Sequence, residues 1–252
     1  MEYDRQFFEA RQDLARQSAE RVVAWLVELL APQSVVDVGC GTAGWLAAFH
    51  RRGVSNILGL DGDWVPRDRL EIPANRFQAV DLHRPLRMEG KFDLAMCLEV
   101  AEHISPPAGD TLVRSLVQLA PVVLFSAAVP HQGGSGHINE QWVDYWIARF
   151  EREGRVAIDC FRPQFWNDDT VAWWYSQNAI FFVDPQAVEP LAKLRAREAK
   201  ASLNHCAAVH PRMFESLVLR LQSPMNHSLG KVLGALPALV TRSVSERLSR
   251  EK

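Results

Sequence analysis

Residues 34–44, which read SVVDVGCGTAG, restrict the fold of this chain more than any other stretch. The valines are typical of a buried parallel strand, and the glycines after them match G-x-G-x-x-G through Gly39, Gly41 and Gly44. Glycines at this spacing let the backbone approach a ligand closely, and the helix that follows offers its N-terminal amides to polar oxygens. Asp37 stands just before the first glycine, where a carboxylate favours a ligand with a cationic group over a pyrophosphate. The stretch therefore predicts a strand–turn–helix loop that binds a small ligand.

Strand and helix patterns alternate from the N-terminus to residue 184, which is the rhythm of a doubly wound α/β sheet with right-handed crossovers. The expected helices cover residues 4–30, 43–52, 108–119 and 140–153, and the expected strands cover 34–38, 56–60, 76–80, 92–97, 121–128, 156–161 and 178–183. We expect residues 1–184 to form this domain. Residues 185–252 are expected to form a helical C-terminal extension, with helices at 187–203, 211–221 and 231–248.

The composition is that of a globular protein, with 252 residues, 48% hydrophobic and 23% charged. No apolar run is long enough to span a bilayer, and the charged first residues do not resemble a signal peptide. Four cysteines are far apart in the chain and form no C-x-x-C pair, namely Cys40, Cys97, Cys160 and Cys206. We therefore expect free thiols and a cytoplasmic protein.

Charge is distributed unevenly along the chain. Residues 185–252 carry 11 Lys and Arg against 5 Asp and Glu, whereas the remainder carries 17 against 25. The acidic body argues against a nucleic-acid substrate, which usually requires a basic face. The basic charges of the C-terminal helices are most simply solvated helix faces, and we expect the apolar patch of those helices to dock on the body or to form a homodimer.

Acidic residues follow three of the predicted strands, and ligands of doubly wound sheets bind beyond the carboxyl ends of the strands. Asp61 follows the second strand, where an ionised carboxylate can accept from both hydroxyls of a ribose. Asp81 follows the third strand and could accept from an adenine amino group, with the Leu82 amide nearby for a ring nitrogen. Glu99 follows the fourth strand. Any one of these acids is equally consistent with an ordinary turn, but their succession beside the glycine loop indicates a ligand site.

The combination of DVGCGTAG, Asp61, Asp81 and FDLAMCLEVAEHI resembles the class I methyltransferases that use S-adenosylmethionine (SAM), whose ammonium and sulfonium groups suit Asp37. The segments HINEQWVDYW and FWNDDTVAWWY are similar to a bacterial subgroup found with glycan or natural-product pathways. The resemblance covers residues 1–184 and implies a seven-stranded Rossmann-like sheet whose last strand is antiparallel. One departure is Ala43, where many members have glycine, and we expect Gly44 to preserve the turn.

The resemblance also implies which residues bind SAM. It assigns the methionine part to Asp37, Gly39 and Gly41, the ribose to Asp61, the adenine to Asp81 and Leu82, and the position beside the methyl group to Glu99. Cys40 and Gly62 adjoin these positions and complete the implied cofactor-binding set. Tyr3 and Phe7 on the first helix would close over the cofactor.

Glu99, Glu102 and His103 form an E-x-x-E-H segment that would place all three side chains on one side of a helix. Two carboxylates and an imidazole can bind Mg²⁺ or Mn²⁺, and His103 can also act as a general base. The segment is similar to that of ubiquinone-pathway and small-RNA methyltransferases, both linked to a divalent metal. It is also widespread in relatives without a metal, where acids suit a helix N-terminus. We predict no metal site, with Mg²⁺ at these three residues as the alternative.

A glycine-rich segment, PHQGGSGHINEQW at residues 130–142, follows the fifth strand and is well placed to cover the substrate. His137, Asn139 and Glu140 are its candidates for holding or deprotonating an acceptor hydroxyl, and His131 is a lesser candidate. Asn139 could instead cap the helix expected from residue 140. The predicted catalytic residues are His103, His137 and Glu140.

Five of the eight tryptophans lie in residues 142–174, between the fifth and the last strand. Trp142 and Trp146 are spaced one helical turn apart, so we expect them to pack in the core. Aromatic faces in the later connection can stack on a sugar or an aromatic acceptor, with Asn167, Asp168 and Asp169 hydrogen-bonding its hydroxyls. The predicted acceptor-binding residues are Trp166, Asn167, Trp173 and Trp174.

These patterns together predict a SAM-dependent methyltransferase that acts on a small polar acceptor, at a hydroxyl of a saccharide or natural-product intermediate. A non-catalytic SAM-binding or scaffold protein is one alternative. A nicotinamide-dependent oxidoreductase is another, because G-x-G-x-x-G with a downstream acid is common to both classes, although Asp37, Asp81 and the E-x-x-E-H segment argue against it.

Overall fold

The computed structural model describes residues 2–198 and 207–222, with side chains from residue 13 onward. The chain divides into two compact units, Met1–His210 and Pro211–Lys252. The sheet belongs to the first unit. The side chains of Tyr3 and Phe7, the thiol of Cys206 and the helix predicted at 231–248 lie outside the described part.

Seven strands form one sheet. They are β1 (Ser34–Val38), β2 (Asn56–Asp61), β3 (Phe77–Ala79), β4 (Leu94–Leu98), β5 (Val122–Ser126), β6 (Val156–Ile158) and β7 (Ile180–Val183). Their order is β3-β2-β1-β4-β5-β7-β6. β7 runs antiparallel to both β5 and β6, and the other neighbours are parallel. The predicted seven-stranded Rossmann-like sheet with an antiparallel last strand is therefore confirmed.

Helices cover both faces of the sheet. They are α1 (Glu2–Leu30), α2 (Gly44–Arg51), α3 (Pro106–Leu119), α4 (Val143–Arg152), α5 (Phe161–Phe165), α6 (Trp173–Asn178) and α7 (Val188–Glu198), all in the first unit. The second unit contains α8 (Pro211–Gln222). α1 and α2 bury residues such as Leu26 and Phe49 against one face. α3 and α4 bury Leu116 and Phe150 against the other. β1, β4 and β5 are consequently buried along their whole length, as central parallel strands are.

The connection between β5 and β7 differs from the expected pattern in three places. α4 begins at Val143 rather than at residue 140. Trp146 is buried against Phe125, with ring centroids 5.0 Å apart, as predicted, whereas Trp142 is 39% exposed and its predicted core position is wrong. β6 ends at Ile158, because the backbone turns into α5 at Phe161, where Asp159 and Arg162 form a buried ion pair.

The described thiols and helices agree with the composition. Cys40, Cys97 and Cys160 are buried and free, as predicted. Burial raises the pKa of all three thiols, so they are neutral and unreactive at physiological pH. None of the helices in residues 2–198 and 207–222 is long and apolar enough to cross a membrane.

Candidate active site

The loop between β1 and α2 requires glycine at its first position. Gly39 has φ +79°, and a Cβ added there would lie 2.3 Å from Cγ2 of Val100. The amides of Gly39 and Cys40 donate to the carbonyl oxygen of Leu60, at 2.7 and 3.2 Å. These contacts hold the loop against the end of β2. Ala43 also adopts the left-handed region, with φ 65°, and forms the turn into α2 despite its side chain.

A cavity of about 620 Å³ opens beside this glycine loop. Its volume lies within the range of small-molecule sites. It is lined by α1, the loop, the segment before β3, the end of β4 and α6, through Ala15, Arg16, Asp37, Gly39, Cys40, Gly41, Thr42, Gly44, Trp45, Pro66, Arg69, Glu71, Leu98 and Tyr175. Four of the residues predicted to bind the cofactor are in this lining, namely Asp37, Gly39, Cys40 and Gly41.

Asp37 presents an unusual carboxylate to this cavity. Its side chain is only 2% exposed, and its Oδ2 atom has no hydrogen-bond partner. Burial, together with the charge of Asp61, raises the pKa of Asp37 to about 8. A buried carboxylate oxygen without a partner is costly, and a cationic group bound in the cavity would remove that cost. The ammonium group of SAM fits this position.

Asp61 lies at the end of β2 and binds the glycine loop directly. Its Oδ2 accepts from the amide of Gly41 at 2.7 Å, and its Oδ1 accepts from the amide of Gly62 at 2.6 Å. Each carboxylate oxygen retains a second lone pair, so a ribose hydroxyl can still donate to it. Gly62 is covered by the indole of Trp64, which is 75% exposed.

Asp81 and Leu82 do not line the cavity. Asp81 is exposed, and its Oδ1 accepts from the backbone amide of His83 at 3.0 Å. That bond and the nearby His83 and Arg84 side chains lower the pKa of Asp81. Leu82 is buried in the core cluster beside α3. The predicted adenine contacts therefore do not belong to the residues that line the cavity, although they follow β3, the third strand, as predicted.

Glu99 does not share a helix with Glu102 and His103, so that expectation was wrong. Glu99 has φ 56°, which turns the chain as it leaves β4, and only Ala101–His103 form one turn of 3-10 helix before α3 begins at Pro106. The Glu99 carboxylate accepts from the Gln132 amide at 2.8 Å and from the Asn178 amide at 3.1 and 3.3 Å. Burial raises the pKa of Glu99, and these two amides oppose the shift.

Glu102, His103 and His137 form the one group of possible metal ligands found among the described residues. One ligand atom from each lies within 4.8 Å of the others. Glu102 is buried, its Oε2 has no partner, and burial with the charge of Glu99 raises its pKa to about 9. The set that could hold a divalent cation therefore contains His137 in place of the predicted Glu99.

His137 and Glu140 are brought together on the glycine-rich segment. His137 Nδ1 lies 2.9 Å from Glu140 Oε1, and the Glu140 carboxylate also accepts from the amides of His131 at 2.8 Å and Gly133 at 2.7 Å. Burial raises the pKa of Glu140, but these three hydrogen bonds outweigh it and the pKa is lowered overall. The His103 ring meets the His137 ring edge to face, with centroids 4.8 Å apart. The three predicted catalytic residues are thus neighbours.

Asn139 does not cap α4. It is buried, its Nδ2 donates to the carbonyl of Ala101 at 3.4 Å, and Trp142 precedes the helix.

The predicted acceptor-binding residues separate into two groups. Trp166 contacts His210, which approaches the Trp166 carbonyl at 2.8 Å, and Asn167 beside it is exposed.

Trp173 and Trp174 form the second group, because they pack edge to face and Trp174 also contacts Tyr175. Tyr175 and Trp45 line the cavity but were missed from the sequence. Their only signal was aromatic character, at WWY and just after Gly44. Asp168, predicted to hold acceptor hydroxyls, instead pairs with Arg21 of α1 at 2.9 Å.

Comparison with known proteins identifies the family. A family profile described as a methyltransferase domain matches residues 7–179. A ubiquinone biosynthesis O-methyltransferase of Acinetobacter baylyi (strain ATCC 33305 / BD413 / ADP1) is 31% identical over 87 residues, and the match covers 31% of this chain and 36% of that relative. The chain thus spans about a third of the length of this curated relative.

Two solved structures share the fold. The sugar N-methyltransferase KedS8 from Streptoalloteichus sp ATCC 53650 has a TM-score of 0.55 at 15% identity, covering 72% of this chain and 92% of that one. The methyltransferase domain of bacterial-CtHen1-C has a TM-score of 0.51 at 19% identity, covering 68% and 98%. With the sheet order, the glycine loop and the matched profile, the chain belongs to the class I SAM-dependent methyltransferases.

Proposed function

We propose that this methyltransferase acts on a hydroxyl of a small polar acceptor, such as a saccharide or a natural-product intermediate, with His137 as the general base. The observation that carries the proposal is the His137–Glu140 pair, 2.9 Å apart, beside His103. These residues follow β4 and β5, and the glycine loop follows β1, so all lie at the carboxyl edge of the sheet. The acceptor hydroxyl would sit between the His137–Glu140 pair and the glycine loop.

Bound SAM would supply a methyl group on its sulfonium. Transfer of this group to the acceptor oxygen would form a C–O bond and break the C–S bond, whose electron pair would stay on sulfur. The hydroxyl must lose its proton during this step, and a positioned base assists. Because the Glu140 carboxylate only accepts hydrogen bonds, His137 Nδ1 carries the proton between them. His137 Nε2 is then the nitrogen that can take the acceptor proton, and Glu140 stabilises the resulting imidazolium.

The polarity of the neighbouring side chains supports a polar acceptor. Gln132, Gln177 and Asn178 present amides beside Glu99, and Gln177 Nε2 donates to Asn178 Oδ1 at 3.0 Å. The curated relative, a ubiquinone biosynthesis O-methyltransferase, supports oxygen as the methylated atom. The identity of the acceptor does not carry over, because the match covers 36% of that relative.

The test is a turnover assay in which S-adenosylhomocysteine (SAH) formation is measured with a panel of polyhydroxylated acceptors. His137→Ala should lower turnover about 100-fold and leave SAH affinity within about twofold, because His137 does not line the cavity. His50→Ala is the matched control, since His50 is exposed on α2. Unchanged turnover in His137→Ala would refute the base assignment. SAH binding without turnover on any acceptor would favour the scaffold alternative, and NADH binding in place of SAH would favour the oxidoreductase.

A divalent cation on Glu102, His103 and His137 is the second candidate, because one ligand atom from each residue lies within 4.8 Å of the others. Such a cation would lower the pKa of the acceptor hydroxyl and replace the base. Under our proposal, EDTA leaves turnover unchanged. Loss of turnover in EDTA with recovery in Mg²⁺ or Mn²⁺ would instead support the metal site.

A further inference from the structure

Tyr175 is a polar group in the cofactor cavity that the family resemblance did not assign. It belongs to α6, between β6 and β7, and it is buried. It lines the cavity together with Asp37, Gly39 and Leu98. Tyr175 therefore shares the cavity with two residues that were assigned to the methionine part of SAM.

Two tryptophans pack around the Tyr175 ring. The Trp45 and Tyr175 rings are 5.1 Å apart at 90°, and the Trp174 and Tyr175 rings are 5.7 Å apart at 57°. Burial raises the pKa of Tyr175 to about 12, so its hydroxyl keeps its proton at physiological pH and can donate it in a hydrogen bond.

The charges around this hydroxyl indicate which ligand group it can bind. The negative charges of Glu99 and Asp37 also raise the pKa of Tyr175. Glu99 already accepts from the Gln132 and Asn178 amides, whereas Asp37 Oδ2 has no partner. A zwitterionic amino-acid group brings one cation and one anion, so it needs a donor beside the acceptor that Asp37 provides.

The arginines of the cavity lining are less suited to the anionic group. The Arg16 side chain is 59% exposed and pairs with Glu71 at 3.3 Å. Arg69 is exposed on the surface segment before β3. A hydrogen bond from a buried group is screened less by water and salt than one from an exposed charge. Tyr175 is the buried hydroxyl of the lining.

We propose that Tyr175 is a cofactor-binding residue whose hydroxyl donates to the carboxylate of the methionine part of SAM, while Asp37 accepts from its ammonium group. The two side chains thus recognise the amino-acid end of the cofactor. The proposal rests on the cofactor and is independent of the acceptor and of the atom that is methylated.

The test compares two ligands by calorimetry, SAH and its decarboxylated analogue 5′-deoxy-5′-(3-aminopropylthio)adenosine, which lacks only the carboxylate. Tyr175→Phe should weaken SAH binding about tenfold, the worth of one hydrogen bond to a charged group, and change binding of the analogue less than about twofold. Tyr145→Phe is the matched control, because Tyr145 lies on α4 and is absent from the cavity lining. It should leave both affinities unchanged.

A second variant separates loss of the hydrogen bond from misfolding. Tyr175→His keeps an N–H donor and should retain part of the preference for SAH over the analogue, with folding checked by thermal unfolding. Equal weakening of both ligands in Tyr175→Phe would mean that Tyr175 only shapes the cavity. Unchanged affinity for both would mean that its hydroxyl contacts another group, such as the acceptor. Either result overturns the proposal, whereas failure of the turnover assay with normal SAH binding would refute only the proposed function.

Discussion

Asp37 makes cofactor binding dependent on pH. Burial and the charge of Asp61 raise the pKa of Asp37 to about 8, so the carboxyl group is largely protonated at pH 6 in the free protein. An ammonium group requires the ionised form, so binding must release a proton. We expect the SAH dissociation constant to fall about tenfold between pH 6 and 7 and to level off only above pH 8. Calorimetry in two buffers of different ionisation enthalpy measures both the affinity and the proton release.

The matched control is Asp37→Asn, which removes the titrating group and keeps the shape of the side chain. It should bind SAH more weakly and with little dependence on pH over the same range. A wild-type affinity that is equally insensitive to pH would contradict the assignment of Asp37 to the ammonium group.

At the scale of elements, the β1–α2 loop offers a test of why its first glycine is required. Gly39 and Gly53 both have positive φ, +79° and +88°, but only Gly39 would clash, with Val100. Gly53→Ala should therefore cost only the strain of the left-handed region, about 1–2 kcal/mol in the free energy of unfolding. Gly39→Ala should cost more and should weaken SAH binding. Urea denaturation and calorimetry measure the two effects.

Val100→Ala provides the internal check for this loop. If the clash with Val100 is the cause, adding Val100→Ala to Gly39→Ala should recover part of the lost stability. No recovery in the double variant would assign the loss to backbone strain alone.

Local patterns were sufficient for the elements that depend on neighbouring residues. The valines of β1 and the glycines after it predicted the strand and the turn at their observed positions. The E-x-x-E-H prediction failed, because Glu99 adopts a left-handed turn in which its backbone amide donates to Ser126 of β5. His137 and Glu140 could be predicted from the sequence because they lie three residues apart in one segment.

Tyr175 shows the opposite case. Its importance comes from the approach of α6 to Trp45, across about half of the chain, and no local pattern distinguishes it from Trp173 and Trp174 beside it. The amide network around Glu99 could not be foreseen for the same reason, since Asn178 comes from the end of α6. Residues that act through long-range contacts require the fold before they can be recognised.

At the scale of the whole molecule, two truncations distinguish the predicted domain boundary at 184 from the compact unit Met1–His210. α7 follows residue 184 and packs against α1 and β6. It buries Leu194, and its Glu198 accepts from the Asp159 amide at 2.8 Å. Removing these contacts should cost several kcal/mol, roughly 5–10 °C in the unfolding midpoint of a protein of this size.

We therefore expect the chain ending at residue 210 to keep the thermal midpoint of the full chain. It should also keep the affinity for SAH, because every residue that lines the cavity lies between Ala15 and Tyr175. The chain ending at residue 184 should unfold at a lower temperature, because it lacks the contacts of α7. Equal midpoints for the two truncations would support the boundary at 184.

Size-exclusion chromatography of the full chain and the 210-residue chain tests the proposed homodimer, since only the full chain should dimerise if the C-terminal helices carry the interface.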